Sequence, residues 1–263
     1  MTPNFSTSNK STWCPGCPNF LILESVKKAL AELELKPEDI AITTGIGCHG
    51  KIFDYLNVNG INCLHGRSIP VATGIHLANP KLKIMDFVGD GDNYSEGMEH
   101  FIHAARFNPD ITLIVHDNQS FSLTEGQATP VSEEGFKTKA EPIGELNHPF
   151  NPIKLALAAE TSFIARCNAK DMQHTTEILK QAIKHKGFSF VEIIQDCLIF
   201  NKEMNGRDKL MYKIENNKDN MKQALELADE WNYNSKQGKI PIGIIYQKEK
   251  PTLAEKVQKI VKK

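Results

Sequence analysis

No apolar run in this chain approaches the roughly 18 residues that a helical membrane span requires, so no membrane segment is expected. Neither sign of charge is in excess: 31 Lys and Arg stand against 32 Asp and Glu, for a formal charge of −1. That balance leaves no broad basic field to draw nucleic acid or an anionic membrane surface. The opening stretch MTPNFSTSNKSTWCPGC lacks the charged-then-apolar layout of a secretion signal. A cytoplasmic setting is therefore the expectation. Internal repeats and low-complexity linkers are absent. Hydrophobic residues make up 40% and charged residues 24% of 263 positions, which excludes a disordered, collagen-like or coiled-coil chain. The length suits one large α/β domain or two small ones.

Cysteine is present six times, at 14, 17, 48, 63, 167 and 197. In a reducing compartment these are not expected to form structural disulfides. Only Cys14 and Cys17 form a C-x-x-C pair, within Trp13-Cys14-Pro15-Gly16-Cys17-Pro18. Such a pair suits half of a zinc site, half of an iron–sulfur site or a redox dithiol. With no second C-x-x-C, a zinc ribbon is disfavoured. Spacing alone does not choose among Cys197, Cys167 and Cys63 as further ligands, and buried free cysteine is common.

Strand and helix patterns alternate along most of the chain. Residues 20–35 read as an amphipathic helix stopped by Pro37, and IAITT (40–44) as a buried strand ending in the turn Gly45-Ile46-Gly47-Cys48-His49-Gly50. INCL (61–64) reads as a strand, 69–78 as a helix, KIMDFV (83–88) as a strand, 96–107 as a helix and ITLIVH (111–116) as a strand. Residues 120–152 read as a long functional loop. Helices are expected from 154 and over 171–185, with strands at 162–167 and 188–195. A polar stretch with a helical patch near 218–231 follows, then the strand IPIGIIY (240–246) and a lysine-rich, partly helical end. The pattern predicts an α/β fold: a mostly parallel sheet covered by helices on both faces, with a C-terminal extension. Residues 1–201 are expected to form the ligand-binding domain, and 202–263 an extension packed on it or on a partner subunit.

The segment 83–119 carries the most chemistry. A strand ends at Gly89-Asp90-Gly91, a helix follows, and a second strand ends at Asp117-Asn118. A β-α-β crossover makes the two strands parallel, so their C-terminal ends share a rim. Ligands of open α/β sheets bind at that rim. Asp90 and Asn118 would then converge as a carboxylate and an amide carbonyl, hard oxygen donors suited to Mg²⁺ with phosphate oxygens completing its shell. Gly89 and Gly91 would let backbone N–H groups approach a diphosphate, and the helix starting near Glu96 would aim its positive end there. The plain alternative is two unrelated turns flanking a helix.

This unit resembles the thiamine-diphosphate motif: Gly-Asp-Gly, about 25 residues, then Asn-Asn. Here 25 residues separate Gly91 from Asp117, and Asp117 replaces the first Asn. Longer segments extend the likeness. WCPGCPNF (13–20), GIGCHGK (45–51), HGRSIPVATGIHLANP (65–80), GDGD (89–92), FIHAAR (101–106), HDNQSFSLTEGQATP (116–130) and DCLIFN (196–201) occur in order. Together they resemble the β subunit of the 2-oxoacid:ferredoxin oxidoreductases, densely over about 13–201 and faintly through IPIGIIY. The resemblance implies a thiamine-diphosphate-binding fold and coenzyme A-dependent oxidative decarboxylation of a 2-oxoacid, with pyruvate and 2-oxoglutarate foremost. Electrons would pass through a [4Fe–4S] cluster to ferredoxin.

The resemblance also implies roles for residues. Cys14, Cys17, Cys48 and Cys197 match the cluster ligands, which leaves Cys63 and Cys167 as buried bystanders. Asp90, Asn118 and the Ser120 carbonyl match the Mg²⁺ ligands. Ile46, Gly47, Cys48, His49, His65, Gly91, Asp92, Ser122 and Leu123 match cofactor contacts, and Lys51 a position bordering the substrate. The glutamate that thiamine enzymes need against the aminopyrimidine ring would come from an α (or α/γ) partner, and the chain alone would be inactive. Three departures stand out: Pro18 where Gly or Thr is usual, the polar run Asn93–Glu96, and Ser120-Phe121-Ser122 in place of an aliphatic-Tyr-Gly. The last puts a side chain beside the cofactor. Two other readings compete. A non-redox thiamine decarboxylase subunit explains Asp90 and Asn118 but leaves the cysteines idle. A zinc-stabilised α/β binding protein explains the C-x-x-C but not the Gly-Asp-Gly unit.

Overall fold

The computed structural model describes residues 4–215, 217–234 and 238–261. Eight strands form one sheet: β1 (Ile40–Thr44), β2 (Asn59–Asn62), β3 (Lys83–Gly89), β4 (Ile111–Asp117), β5 (Phe163–Asn168), β6 (Phe188–Ile194), β7 (Met211–Lys213) and β8 (Ile240–Gln247). Their order is β2-β1-β3-β4-β6-β5-β8-β7. All pairings are parallel except β5 with β8, which is antiparallel. The described helices are α1 (Asn19–Glu32), α2 (Ser68–Ala78), α3 (Met98–Phe107), α4 (Pro152–Ala158), α5 (Met172–Lys184), α6 (Met221–Asp229) and α7 (Leu253–Val261). None is long and apolar enough to cross a membrane.

Strand periodicity explains the layering. Along β3, Ile84 and Val88 enter one core while Met85 and Phe87 enter the other. The first core packs against α2, α3, α4 and α6, and the second against α1 and α5. The central strands are buried on both faces, which is why they read as continuous apolar runs. The mostly parallel, two-sided α/β architecture expected from the sequence is present. Residues 202–263 contribute β7 and β8 to this same sheet, and Trp231, Tyr233, Ile240 and Ile245 join the first core. Of the lysine-rich end, residues 253–261 form α7, while Lys262 and Lys263 lie outside the described residues.

Several boundaries differ from the sequence reading: β2 covers Asn59–Asn62 rather than 61–64, α6 is shorter than 218–231, and β7 has no counterpart in it. Two further differences have a clear local cause. The first helix stops at Glu32 rather than at Leu35, short of Pro37. Glu34 takes a left-handed conformation (φ 55°), and the Leu35 N–H turns back to the Leu30 carbonyl at 3.2 Å, closing the helix. Pro37 instead opens a single 3₁₀ turn. Pro18, unusual for the family resemblance, sits at the N-terminal cap of this helix with φ −62°, where its missing N–H costs nothing. The second difference follows β3. The backbone is already helical at Asp90 and Gly91 (Gly91 φ −64°, ψ −42°), not from Glu96, and passes through a widened turn over Asp92–Glu96 before α3. The Gly97 N–H closes that turn on the Asp92 carbonyl at 3.0 Å. A Cβ at Gly97 would lie 2.9 Å from that same oxygen, so the turn needs glycine there.

Two acidic residues fall on the apolar side of their strands. Glu192 on β6 is neutralised: Arg166 Nε donates to it at 2.7 Å, and the Tyr233 hydroxyl at 2.7 Å. Asp86 on β3 has no cation beside it among the described residues; the Ser68 hydroxyl donates to it at 3.0 Å and the Thr43 hydroxyl lies against it. Burial, with the Asp92 charge adding to it, pushes Asp86 from 3.8 up to about 8. A raised carboxyl means the folded state holds a proton that the unfolded chain releases. Stability is then full below about pH 4 on this account and falls as pH rises toward 8, by up to about 1.4 kcal/mol per pH unit. Asp86→Asn keeps an acceptor for Ser68 and removes the charge. Denaturant titrations are expected to show the variant more stable than wild type at pH 7–8, with the difference closing near pH 4.

Candidate cofactor site

The site arises at the C-terminal edge of the parallel strands. From β1 the chain departs toward β2, while from β3 it departs toward β4 on the other side. The loops after β1 and β3 therefore diverge, and the crevice between them is the switch point where α/β sheets bind ligands. Ile46, Gly47, Cys48, His49, His65, Asp90, Gly91, Asp92, Asn118, Ser120, Ser122 and Leu123 all line it. With Gln195 also in the lining, segments from position 46 to position 195 meet on one cleft. Ile46 and Leu123 expose 43% and 45% of their surface, a pair of apolar side chains at its mouth.

Asp92 ties the loops together. Its Oδ1 accepts from the Gly66 N–H at 2.8 Å and the Ile46 N–H at 3.2 Å. His65 Nε2 lies 3.4 Å from Oδ1, and His49 Nε2 3.6 Å from Oδ2. Burial alone would push this carboxyl up, but His49 and the two N–H donors outweigh it and hold it below the ordinary range. Glycines make room for these groups. A Cβ at Gly45 would fall 1.7 Å from Asp92 Oδ2, one at Gly89 2.6 Å from the His49 ring, and one at Gly91 2.3 Å from the Phe121 ring. Beyond any approach to a diphosphate, these glycines clear space for the side chains of the site.

Asp90 and Asn118 converge as the β-α-β argument required. The Asn118 N–H points at Asp90 Oδ1 (3.4 Å), and Thr129 Oγ1 donates to Asp90 Oδ2 at 2.7 Å. Gln119 adopts a left-handed backbone (φ 55°), which brings Ser120 back so that its N–H donates to Asn118 Oδ1 at 3.1 Å. That strained residue is pinned: its carbonyl accepts from Ser132 Oγ at 2.7 Å and Asn201 Nδ2 at 3.1 Å, and Arg207 donates to its side chain. Acidic groups crowd beneath. Burial, reinforced by the Glu192 charge, raises Asp90 to about 7. Burial and the charges of Asp90 and Glu192 hold Asp117 well above its ordinary range. A divalent cation beside Asp90 would relieve this repulsion, and the available donors are carboxylate, amide and carbonyl oxygens, as Mg²⁺ prefers. The residues present fit a metal-bound diphosphate.

A second cavity adjoins the first. Cys14, Cys17, Cys48 and Cys197 all line it, together with Lys51. Cys14 and Cys17 are brought together by a tight turn, in which the Cys17 N–H donates to the Cys14 carbonyl at 3.0 Å and Gly16 supplies the left-handed position (φ 78°) after Pro15. Trp13 Nε1 donates to the Cys48 carbonyl at 2.6 Å and fixes this segment against the loop after β1. Burial raises the Cys48 thiol to about 11 and the Cys17 thiol above its ordinary value, with the neighbouring thiols adding and Lys51 opposing. Such thiols keep their protons until a cation displaces them. Among the described residues, no three His, Cys, Asp or Glu side chains gather tightly enough for a single metal ion. Four thiols lining one cavity are the donor set that an iron–sulfur cluster would require.

Lys51 sits on the thiol side, where its Nζ donates to the Thr12 carbonyl at 3.2 Å, and it does not line the first crevice. Cys63 and Cys167 are buried away from both cavities. Their Ser variants are expected to retain the same iron per chain as wild type after anaerobic purification. Cys167→Ser, with a hydroxyl in an apolar core, should lose about 1–3 kcal/mol of stability by denaturant titration. The sequence reading missed Trp13, Thr129, His116 and Gln195, which hold or line the two cavities. Trp13 had a signal, since it abuts the C-x-x-C. Thr129 had none, lying 39 positions from Asp90 in an irregular loop.

Comparison with known proteins fits this geometry. A family model described as the C-terminal TPP-binding domain of thiamine pyrophosphate enzymes matches residues 45–193, and one for the C-terminal part of the pyruvate ferredoxin oxidoreductase β subunit matches 197–262. The chain is 41% identical to the 2-oxoacid:ferredoxin oxidoreductase subunit β of Saccharolobus solfataricus, over 90% of this chain and 82% of that protein. It is 43% identical to the 2-oxoglutarate oxidoreductase subunit KorB of Mycobacterium tuberculosis, over 75% of this chain and 53% of that one. Among solved structures, the 2-oxoglutarate:ferredoxin oxidoreductase from Magnetococcus marinus, with 2-oxoglutarate, coenzyme A and succinyl-CoA bound, superposes with a TM-score of 0.94 at 33% identity. That match covers 98% of this chain and 88% of the other. Fold, motif order and matched length agree, and the chain belongs to the 2-oxoacid:ferredoxin oxidoreductase family as a β subunit.

Proposed function

We propose that this β subunit, paired with an α-type (or α/γ) partner, carries out coenzyme A-dependent oxidative decarboxylation of a 2-oxoacid in the cytoplasm. The products are acyl-CoA and CO₂, and the electrons leave through a [4Fe–4S] cluster to ferredoxin. 2-Oxoglutarate is the first substrate to test, because the M. marinus structure and the M. tuberculosis relative carry that name; pyruvate is the second. The observation that carries the reading is a shared wall: Cys48, Asn118, Ser122 and Gln195 line both the crevice and the thiol cavity. An electron leaving the crevice has only that wall to cross.

Thiamine diphosphate, when bound, supplies the carbanion chemistry that releases CO₂ from a 2-oxoacid. This chain's residues hold and orient it. Asp90, Asn118 and the Ser120 carbonyl would bind the Mg²⁺ on its diphosphate. Asp92, clamped by Gly66, Ile46, His49 and His65, keeps the loops on both sides at a fixed distance. Ile46, Gly47, His49, His65, Gly91, Ser122 and Leu123 would contact the cofactor, with the two apolar side chains at the mouth excluding water. Cys14, Cys17, Cys48 and Cys197 would bind the cluster. Lys51, beside the thiols, would border the substrate. The crevice lining among the described residues holds no glutamate, and we assign the ring-activating glutamate to the partner.

The complex of both subunits, purified anaerobically, should reduce benzyl viologen with a 2-oxoacid and coenzyme A. The isolated chain should not. Turnover by the isolated chain, or CO₂ release with no viologen reduction by the complex, would overturn the proposal, the second in favour of a non-redox decarboxylase.

A further inference from the structure

The wall between the two cavities contains a hydrogen-bonded path. Ser122 Oγ lies 2.7 Å from Ser120 Oγ, 3.2 Å from Asn118 Oδ1, 3.2 Å from Cys197 Sγ and 3.4 Å from the Ser120 carbonyl. It is the side chain that touches the proposed metal ligands on one side and a proposed cluster ligand on the other. The hydroxyl has one proton to give among these acceptors. Asn118 Oδ1 is already approached by the Ser120 N–H at 3.1 Å and by Ser120 Oγ at 3.3 Å, three donors in all for two lone pairs. The path is therefore over-subscribed at its metal end and meets a sulfur acceptor, Cys197 Sγ, at the other.

We propose that Ser122 is a positioning residue that couples the two sites: occupancy of the metal site directs its hydroxyl proton onto Cys197 Sγ and raises the reduction potential of the cluster. The inference rests on the cluster assignment above. A cation that takes lone pairs of Asn118 Oδ1 and the Ser120 carbonyl withdraws both as acceptors for Ser122. Ser120 Oγ can then donate to Ser122 Oγ, and Ser122 donates to Cys197. A hydrogen bond to a ligating sulfur stabilises the reduced cluster, which carries the additional negative charge. The Phe200 N–H gives Cys197 Sγ a second donor at 3.4 Å that owes nothing to the metal. The metal-dependent hydrogen bond to Cys197 is therefore that of Ser122.

The test is an EPR-monitored redox titration of the anaerobic complex. One electron from dithionite enters each oxidised cluster, and the hydroxyl proton stays on Ser122. It is run with saturating Mg²⁺ and thiamine diphosphate, and again after their removal by chelation. Wild type is expected to shift to higher potential with the metal site filled, by about a ten-fold change in the one-electron equilibrium, roughly 59 mV. Ser122→Ala and Ser122→Gly should titrate at lower potential and ignore the metal, while Ser122→Thr, which keeps a hydroxyl, should restore the shift. A metal-dependent shift that survives in Ser122→Ala overturns the proposal. So does a Ser122→Thr variant that behaves as the Ala variant, since bulk rather than the proton would then matter. Iron content in Cys197→Ser is read first. If it equals wild type, the cluster assignment itself fails; if it falls, and the potential is still unmoved by Ser122→Ala, only the coupling fails.

Discussion

Asp90→Asn is expected to leave the chain folded and to weaken thiamine diphosphate and Mg²⁺ binding by the α-partnered complex by at least about 100-fold, since even loss of a group supporting a metal ligand costs 10–100-fold. Viologen reduction should fall in step. The substitution keeps size and the Thr129 partner (2.7 Å in wild type) but removes the charge that a cation needs. The same change should stabilise the cofactor-free chain, because Asp90 is only 2% exposed and crowded by Asp117 and Glu192. Calorimetric titration of cofactor and thermal unfolding of the same sample read the two effects. Opposite signs are the signature of a ligand site held against the preference of the fold. A variant that loses both binding and stability would instead mark Asp90 as structural.

Cys48→Ser is expected to abolish the brown colour and lower iron and electron output to background, while thiamine diphosphate still binds within about ten-fold of wild type. Cys48 belongs to both cavities, and the tether of its carbonyl to Trp13 Nε1 does not involve the side chain that is changed. Iron analysis and cofactor titration on one preparation separate the functions. Full iron in Cys48→Ser would remove it from the ligand set.

Much of this was legible in the sequence because parallel α/β folds write their function at strand ends. IAITT, KIMDFV and ITLIVH are buried on both faces, so their apolar runs stop where the chain emerges. Asp90 and Asn118, just beyond two of them, are site candidates from that alone, whereas Ile46 enters only through the family resemblance. The Cys-Pro-Gly-Cys turn was equally local. What resisted reading depends on tertiary contact. The left-handed Gln119, pinned by Ser132, Asn201 and Arg207, shapes the proposed metal site, yet no residue near Gln119 announces it. The widened turn over Asp92–Glu96 has a helical pattern with the wrong starting point. The Ser122 departure was visible as an oddity, but its neighbour Cys197, 75 positions away, was needed to give it meaning.

The central claim is that one chain presents a thiamine diphosphate site and a cluster site on opposite sides of one wall. The most direct measurement is the ratio of iron, acid-labile sulfide and thiamine diphosphate per β subunit in the anaerobic complex, compared between wild type, Cys14→Ser and Cys197→Ser. The account predicts one cofactor in all three, and four iron and four sulfide lost in each Ser variant. Iron that is independent of Cys14 and Cys197, or a wild-type complex with thiamine diphosphate and no iron, would contradict it.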